Sequence, residues 1–212
     1  MEEQPVETTL YSLSAAAPSP ANRREGERLL TLYRVGSIII GGRRELCLIK
    51  NISAGGMMIR AYCDVARDTR VSVELKSGHP IEGAISWVKD SSAGITFDAP
   101  VDIIDLLSAS MEGPRPRMPR IEVDCFANVR DGSNMLRMRV RDVSQGGLKL
   151  ESATVLAGGT DVVVSLPGLD PQPCVVRWHE AGLTGITFNR LLALPMLVGW
   201  LEQQRSAMRA TG

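Results

Sequence analysis

The sequence predicts an all-β-dominated chain: two tandem small antiparallel β-barrels, each followed by a C-terminal helix. Three observations lead there. The chain repeats itself at an offset of 91 residues: Asn51-Ile-Ser53-Ala-Gly55-Gly56 falls on Asp142-Val-Ser144-Gln-Gly146-Gly147, Trp87 on Trp178, and Gly94-Ile95-Thr96-Phe97 on Gly185-Ile186-Thr187-Phe188. Inside each copy apolar residues alternate with polar ones, the period of a half-buried strand. Turn residues separate these short runs at the spacing of an antiparallel barrel or sandwich. The 212 residues leave room for two such units, each of about 100 residues.

Taken in order, residues 1–21 stand outside the repeat, and Ser14-Ala-Ala-Ala-Pro18-Ser-Pro20 reads as a flexible leader. The first unit covers 22–110. Val71, Val73 and Leu75 alternate with polar neighbours, and Ser77-Gly78 turns the chain. Ile81, Ile85 and Trp87 alternate next, before Asp90-Ser-Ser-Ala-Gly94 turns it into Ile95–Phe97. An apolar segment with Val101, Ile104 and Leu107 predicts a helix, and Ser108 to Pro119 forms a linker. The second unit covers 111–212. Val123, Cys125, Ala127 and Val129 alternate up to an Arg130-Asp-Gly-Ser133 turn, then Leu136, Met138 and Val140. Val162, Val164 and Leu166 lead to a Pro167-Gly168 turn, followed by Cys174, Val176 and Trp178. Leu194, Leu197, Val198 and Leu201 predict the second helix, with Pro195 in its first turn, where a missing N–H costs nothing. Both helices are expected to cover an open edge or an end of their barrels. Trp87 and Trp178 are expected in the cores.

Composition removes several function classes. Lys plus Arg equals Asp plus Glu at 24 each, a net charge of zero, which argues against bulk binding of DNA or RNA. Two histidines, His79 and His179, cannot build a multi-histidine metal site, and His179 reads as structural. Cys47, Cys63, Cys125 and Cys174 show no Cys-x-x-Cys pair and read as separate buried thiols. The apolar stretch from Leu191 to Leu201 is about half a bilayer span. The acidic start, Met1-Glu2-Glu3, lacks the order of a signal peptide, so a cytoplasmic protein is expected. There is no phosphate loop, no Gly-x-Ser-x-Gly elbow and no His-Glu-x-x-His, so no enzymatic activity is expected.

Two motifs remain. The first unit carries Arg24-Glu-Gly-Glu-Arg28 ahead of Asn51-Ile-Ser53-Ala-Gly-Gly56; the second carries Arg115-Pro-Arg117-Met-Pro-Arg120 ahead of Asp142-Val-Ser144-Gln-Gly-Gly147. Over residues 22 to about 205 each unit resembles a PilZ domain, the bacterial module associated with cyclic di-GMP. That family pairs an Arg-x-x-x-Arg entrance with an Asp/Asn-x-Ser-x-x-Gly turn on its barrel. The first unit matches both parts. In the second no two entrance arginines are four apart, and Arg120 aligns with Arg28 only through one inserted residue.

The resemblance implies a dinucleotide site made by Arg24, Arg28, Asn51, Ser53 and Gly56, and a weaker one made by Arg115, Arg120, Asp142, Ser144 and Gly147. Arg23, Arg34, Arg43, Arg44 and Arg117 are left as surface charge. Chemistry makes these residue types sensible. A guanidinium matches the adjacent O6 and N7 acceptors of guanine with two parallel bonds, and it pairs with phosphate oxygens. Asp142 can accept from guanine N1–H and N2–H together, whereas Asn51 offers a single carbonyl oxygen. The implied function is that of a non-enzymatic receptor with no resident cofactor or metal. It would change conformation on binding cyclic di-GMP and signal to a protein partner not named by the sequence, with no nucleic acid bound and no membrane span. The competing reading is a degenerate scaffold that binds a protein partner without nucleotide.

Overall fold

The computed structural model describes residues 30–75, 80–108 and 118–211. The leader, the Ser77-Gly78 turn, His79, most of the linker and the entrance residues Arg23, Arg24, Arg28, Arg115 and Arg117 lie outside them. Six strands form the first unit: β1 (Leu30–Ile40), β2 (Arg43–Ser53), β3 (Gly56–Ala61), β4 (Arg70–Glu74), β5 (Pro80–Lys89) and β6 (Ser92–Phe97). The second unit repeats them as β7 (Ile121–Asp131), β8 (Asn134–Ser144), β9 (Gly147–Glu151), β10 (Asp161–Ser165), β11 (Gln172–Glu180) and β12 (Leu183–Phe188). Each set closes into an antiparallel barrel, in the orders β1-β2-β3-β6-β5-β4 and β7-β8-β9-β12-β11-β10. The β1–β2 hairpin turns on Gly41-Gly42, both at positive φ (55° and 78°), the conformation that a tight two-residue hairpin demands.

Of the alternating residues read from the sequence, Val73, Ile85, Ala127, Val129, Val140 and Val176 are fully buried, whereas Val123, Cys125 and Leu136 are only partly buried. Strands not read from the sequence complete both cores. Ile38, Cys47, Ile49, Ile59, Val73 and Ile85 are fully buried in the first; Ala127, Val129, Val140, Leu148, Leu150 and Val176 are fully buried in the second. Each Val, Leu or Ile among them stabilises its barrel by roughly 1.5–3 kcal/mol relative to exposure, and the single methyl of Ala127 by less.

The tryptophans do not follow. Trp87 is 41% exposed and Trp178 43% exposed, so neither is a core residue. An extra residue on β5 between Ile85 and Trp87, and on β11 between Val176 and Trp178, shifts the register. Such a bulge interrupts the inward alternation and turns the next side chain outward. Each indole then lies across a glycine of the next strand. A Cβ on Gly94 would stand 2.0 Å from Trp87 Nε1, and one on Gly185 would stand 2.2 Å from Trp178 Nε1.

The helices differ from expectation in one respect and extend it in another. Because both sheets close, there is no open edge to cover. The first helix, α1, is short (Ile103–Ser108), begins after Val101 and leaves Ile104 exposed. The second, α2 (Leu194–Thr211), drives Leu197, Trp200 and Leu201 into the second core, and Trp200 Nε1 donates to the Pro167 carbonyl at 2.7 Å. The thiols also divide: Cys47 and Cys174 are buried, but Cys63 and Cys125 are only half-buried. His179 is structural, its Nδ1 lying 2.8 Å from Thr184 Oγ1.

The barrels touch. Leu46 on β2 is buried within the apolar cluster of the second barrel, with Val35 packed beside it. Arg205 on α2 reaches Glu45 on β2 at 2.5 Å.

Candidate functional site

The repeated turn is built alike in both barrels. Ser53 pairs with Gly56 across the β2–β3 hairpin, and Ser144 with Gly147 across β8–β9. The Ser53 hydroxyl donates to the Gly56 carbonyl at 3.2 Å, and the Ser144 hydroxyl to the Gly147 carbonyl at 3.3 Å. The Gly146 N–H donates to Ser144 Oγ at 3.3 Å. Both serines are buried, so in this state their hydroxyls brace the turn. The two closing glycines are needed for a close approach. A Cβ on Gly56 would lie 2.5 Å from the Ile95 carbonyl oxygen, and one on Gly147 would lie 2.1 Å from that of Ile186.

A register shift precedes the turn in both copies, between Ile49 and Asn51 and between Val140 and Asp142. It places the Asx residue at the same point of each barrel wall. Their surroundings then part company. Asp142 is buried, with the Arg120 guanidinium on one oxygen and Lys149 Nζ at 2.8 Å from the other. Lys149 faces Asp142 across the hairpin. At the same register in the first barrel Asn51 faces Met58, so the turn there presents a neutral amide with no opposing cation.

Arg120 and Asp142 line a cavity of about 730 Å³ between the barrels, a volume typical of small-molecule sites. Its other wall includes Arg43, Arg44 and Glu45 of the first barrel, and Arg205 of α2 closes one side. Arg44 is not a free surface charge. It makes a two-pronged pair with Glu74 at 2.6 and 3.0 Å and donates to Ser37 Oγ at 2.8 Å. The bond to Glu74 holds the Arg44 pKa above its ordinary value against the opposing effect of burial. The lining therefore mixes guanidinium groups with the carboxylates of Glu45, Glu122 and Asp142. Such a surface can hold a ligand carrying both anionic oxygens and polar ring edges. Among the described residues no cluster of His, Cys, Asp and Glu is placed to hold a metal ion, and no helix is long and apolar enough to cross a membrane.

The predicted residues are thus only partly brought together. Asn51, Ser53 and Gly56 share one turn; Arg120, Asp142, Ser144 and Gly147 share the other; Arg24, Arg28 and Arg115 lie outside the described residues. Sequence reasoning missed Lys149, which counting hairpin pairs outward from Ser144 and Gly147 would have found. It also missed Glu45 and Arg205 and gave Arg43 and Arg44 no role, because no local pattern links them to the second turn.

Comparison with known proteins places the chain. The PilZ domain model matches residues 22–111 and 114–194. Among solved structures the chain is similar to the Borreliella burgdorferi PlzA protein in complex with c-di-GMP, with 12% identity, covering 82% of this chain and 92% of that one, at a TM-score of 0.37. It is similar to the K. pneumonia MrkH–c-di-GMP complex at 12% identity, 87% and 100% coverage and a TM-score of 0.34. A third is the Escherichia coli YcgR–c-di-GMP complex, at 15% identity, 84% and 85% coverage and a TM-score of 0.30. No curated protein matches the chain. With the family model spanning both barrels, the chain belongs to the PilZ domain family.

Proposed function

We propose that this protein is a non-enzymatic receptor for cyclic di-GMP that signals to a protein partner through the arrangement of its two barrels. The observation that carries this reading is the Arg120–Asp142 pair on the wall of the interdomain cavity, with Lys149 on the second carboxylate oxygen. The pair stores both halves of a guanine-reading device. When Arg120 swings to guanine O6 and N7 or to a phosphate, Asp142 becomes free to accept N1–H and N2–H, while Lys149 stays paired with its second oxygen. One internal ion pair is exchanged for two sets of ligand contacts, so the loss of the resting pair is offset.

In the first unit Arg24 and Arg28 keep the family spacing and would act with the Asn51 turn. That site takes the tighter phase and the second unit, with Arg115 and Arg120, the weaker one. Ser53, Gly56, Ser144 and Gly147 serve by holding the turns. Movement of the entrance segment onto a ligand would alter how the barrels meet, since Arg120 lies between the linker and the shared cavity.

The test is calorimetry on the full chain with cyclic di-GMP. Binding at least tenfold tighter than for cyclic di-AMP or GTP, about 1.4 kcal/mol, is expected, because adenine puts an amino donor where guanine has O6. The Arg24→Ala/Arg28→Ala variant should lose the tight phase, and Arg120→Ala the weak one. Equal or absent binding of all three nucleotides overturns the reading. It would favour the scaffold, in which the Arg120–Asp142–Lys149 cluster only braces the barrel wall.

A further inference from the structure

We propose that Arg43, on the first barrel, binds an anionic phosphate of the nucleotide held at the second barrel's turn, so that the second site is shared between barrels. The inference rests on the cyclic di-GMP reading above and adds a residue outside both family motifs. Arg43 lines the same cavity as Arg120 and Asp142. It follows the Gly41-Gly42 turn, at the start of β2. The next two residues in sequence are committed elsewhere: Arg44 is locked on Glu74 and Ser37, and Glu45 is locked on Arg205. Those bonds fix the hairpin end against α2 and leave little freedom for its backbone. Among the described residues no carboxylate pairs with Arg43, whereas Arg44, Arg120 and Arg205 each have one.

An exposed guanidinium on a fixed hairpin, facing a cavity whose opposite wall holds a ligand-reading pair, is placed to meet charge rather than to fold the protein. The group it would meet is the phosphodiester. The carboxylate that could read a base edge, Asp142, stands on the other wall, and a dinucleotide ring presents its anionic oxygens between its bases. Phosphate attracts a cation without demanding planar geometry, so lysine should serve at position 43 where it would fail against guanine.

The experiment is calorimetry with cyclic di-GMP on the full chain in the Arg24→Ala/Arg28→Ala background, which isolates the second site. Adding Arg43→Ala should weaken binding about tenfold, and Arg43→Lys should restore it to within about threefold, since lysine keeps the charge. Arg67→Ala removes the same charge from an exposed residue that does not line the cavity and should change nothing. Circular dichroism confirms that each variant is folded. Unchanged affinity in Arg43→Ala, failure of lysine to restore binding, or an equal loss in Arg67→Ala overturns the inference. So does absence of binding in the double-arginine background while the unmodified protein binds, which leaves the receptor reading standing. If the unmodified protein binds no cyclic di-GMP, both fall together.

Discussion

Arg205 on α2 and Glu45 on β2 meet at 2.5 Å across the junction of the two barrels, with the Glu45 side chain only 8% exposed and that of Arg205 29% exposed. The last helix of the second unit is thereby fastened to the first. Beside this ion pair, Leu46 enters the second barrel's apolar cluster. A polar clasp next to an apolar plug fixes the angle between barrels more narrowly than either would alone. The shared cavity borrows both residues of the clasp for its wall.

Removing one partner of the clasp strands the other. Arg205→Ala should leave Glu45 buried without its cation and lower stability by about 1–3 kcal/mol. Glu45→Gln, which keeps a hydrogen-bonding oxygen and removes the charge, should cost less. Urea unfolding of the full chain measures both; equal midpoints for Arg205→Ala and the unmodified protein would show that the pair contributes nothing to the junction.

Asn51 differs from Asp142 in charge and in the residue it faces, Met58 rather than Lys149. Asn51→Asp should tighten the first site by on the order of 1 kcal/mol, because a carboxylate accepts two guanine donors with charge assistance. Without an opposing lysine the new charge is less screened, so Asn51→Asp with Met58→Lys should tighten it further. Titration with cyclic di-GMP decides; a clear loss of affinity in folded Asn51→Asp would mean that the amide N–H, not the oxygen, meets the ligand.

The closing glycine of each turn is held by geometry. Gly147→Ala would place a methyl carbon 2.1 Å from a backbone oxygen of β12, where no flexible side chain can yield. The strand must shift, at a cost of about 1–3 kcal/mol or more. Ser144→Ala loses the two long hydrogen bonds of its hydroxyl within the turn, to the Gly147 carbonyl and from the Gly146 N–H, and should cost about 0.5–1.5 kcal/mol. Thermal unfolding should rank Gly147→Ala well below Ser144→Ala, and the reverse order would contradict the packing described here.

Burial pushes the Cys47 and Cys174 thiols up from the ordinary 9.0 to about 12, and the half-buried Cys63 and Cys125 up to about 11. A folded thiol with a raised pKa keeps its proton where the unfolded chain would release it. Its contribution to stability is therefore complete below about pH 9 and is lost as pH climbs from 9 toward the folded value. Urea midpoints between pH 8 and pH 11 should fall less steeply in Cys47→Ala than in the unmodified protein. Near pH 7.5 a thiol reagent should react slowly with the native protein and fully after unfolding.

Local rules account for what could be read directly. The duplicated turn, the alternation of Val162, Val164 and Leu166, the turn at Pro167-Gly168 and the start of α2 near Pro195 each depend on neighbours a few residues apart. Dihedral preference and period act at that range, so these features are written in order along the chain. Trp87 and Trp178 went astray because a single inserted residue reverses inside and outside, and a bulge is a property of strand pairing rather than of one strand's composition. α1 starts at Ile103 and leaves Val101 outside it because the Asp102 carboxylate accepts from the Ile104 and Asp105 N–H groups and caps the helix there.

By itself, then, the sequence determined two β units, their repeated turns, and the residue types able to read a guanine. Only the tertiary structure decided which of these groups meet. Arg43, Arg44 and Glu45 come to face Arg120, Asp142 and Arg205 because Leu46 buries itself in the neighbouring barrel and α2 reaches back to the first. The hydrophobic burial that drives this docking is non-directional and acts between segments more than 70 residues apart. No local period records such a contact, so the shared cavity exists only once both barrels have folded and packed.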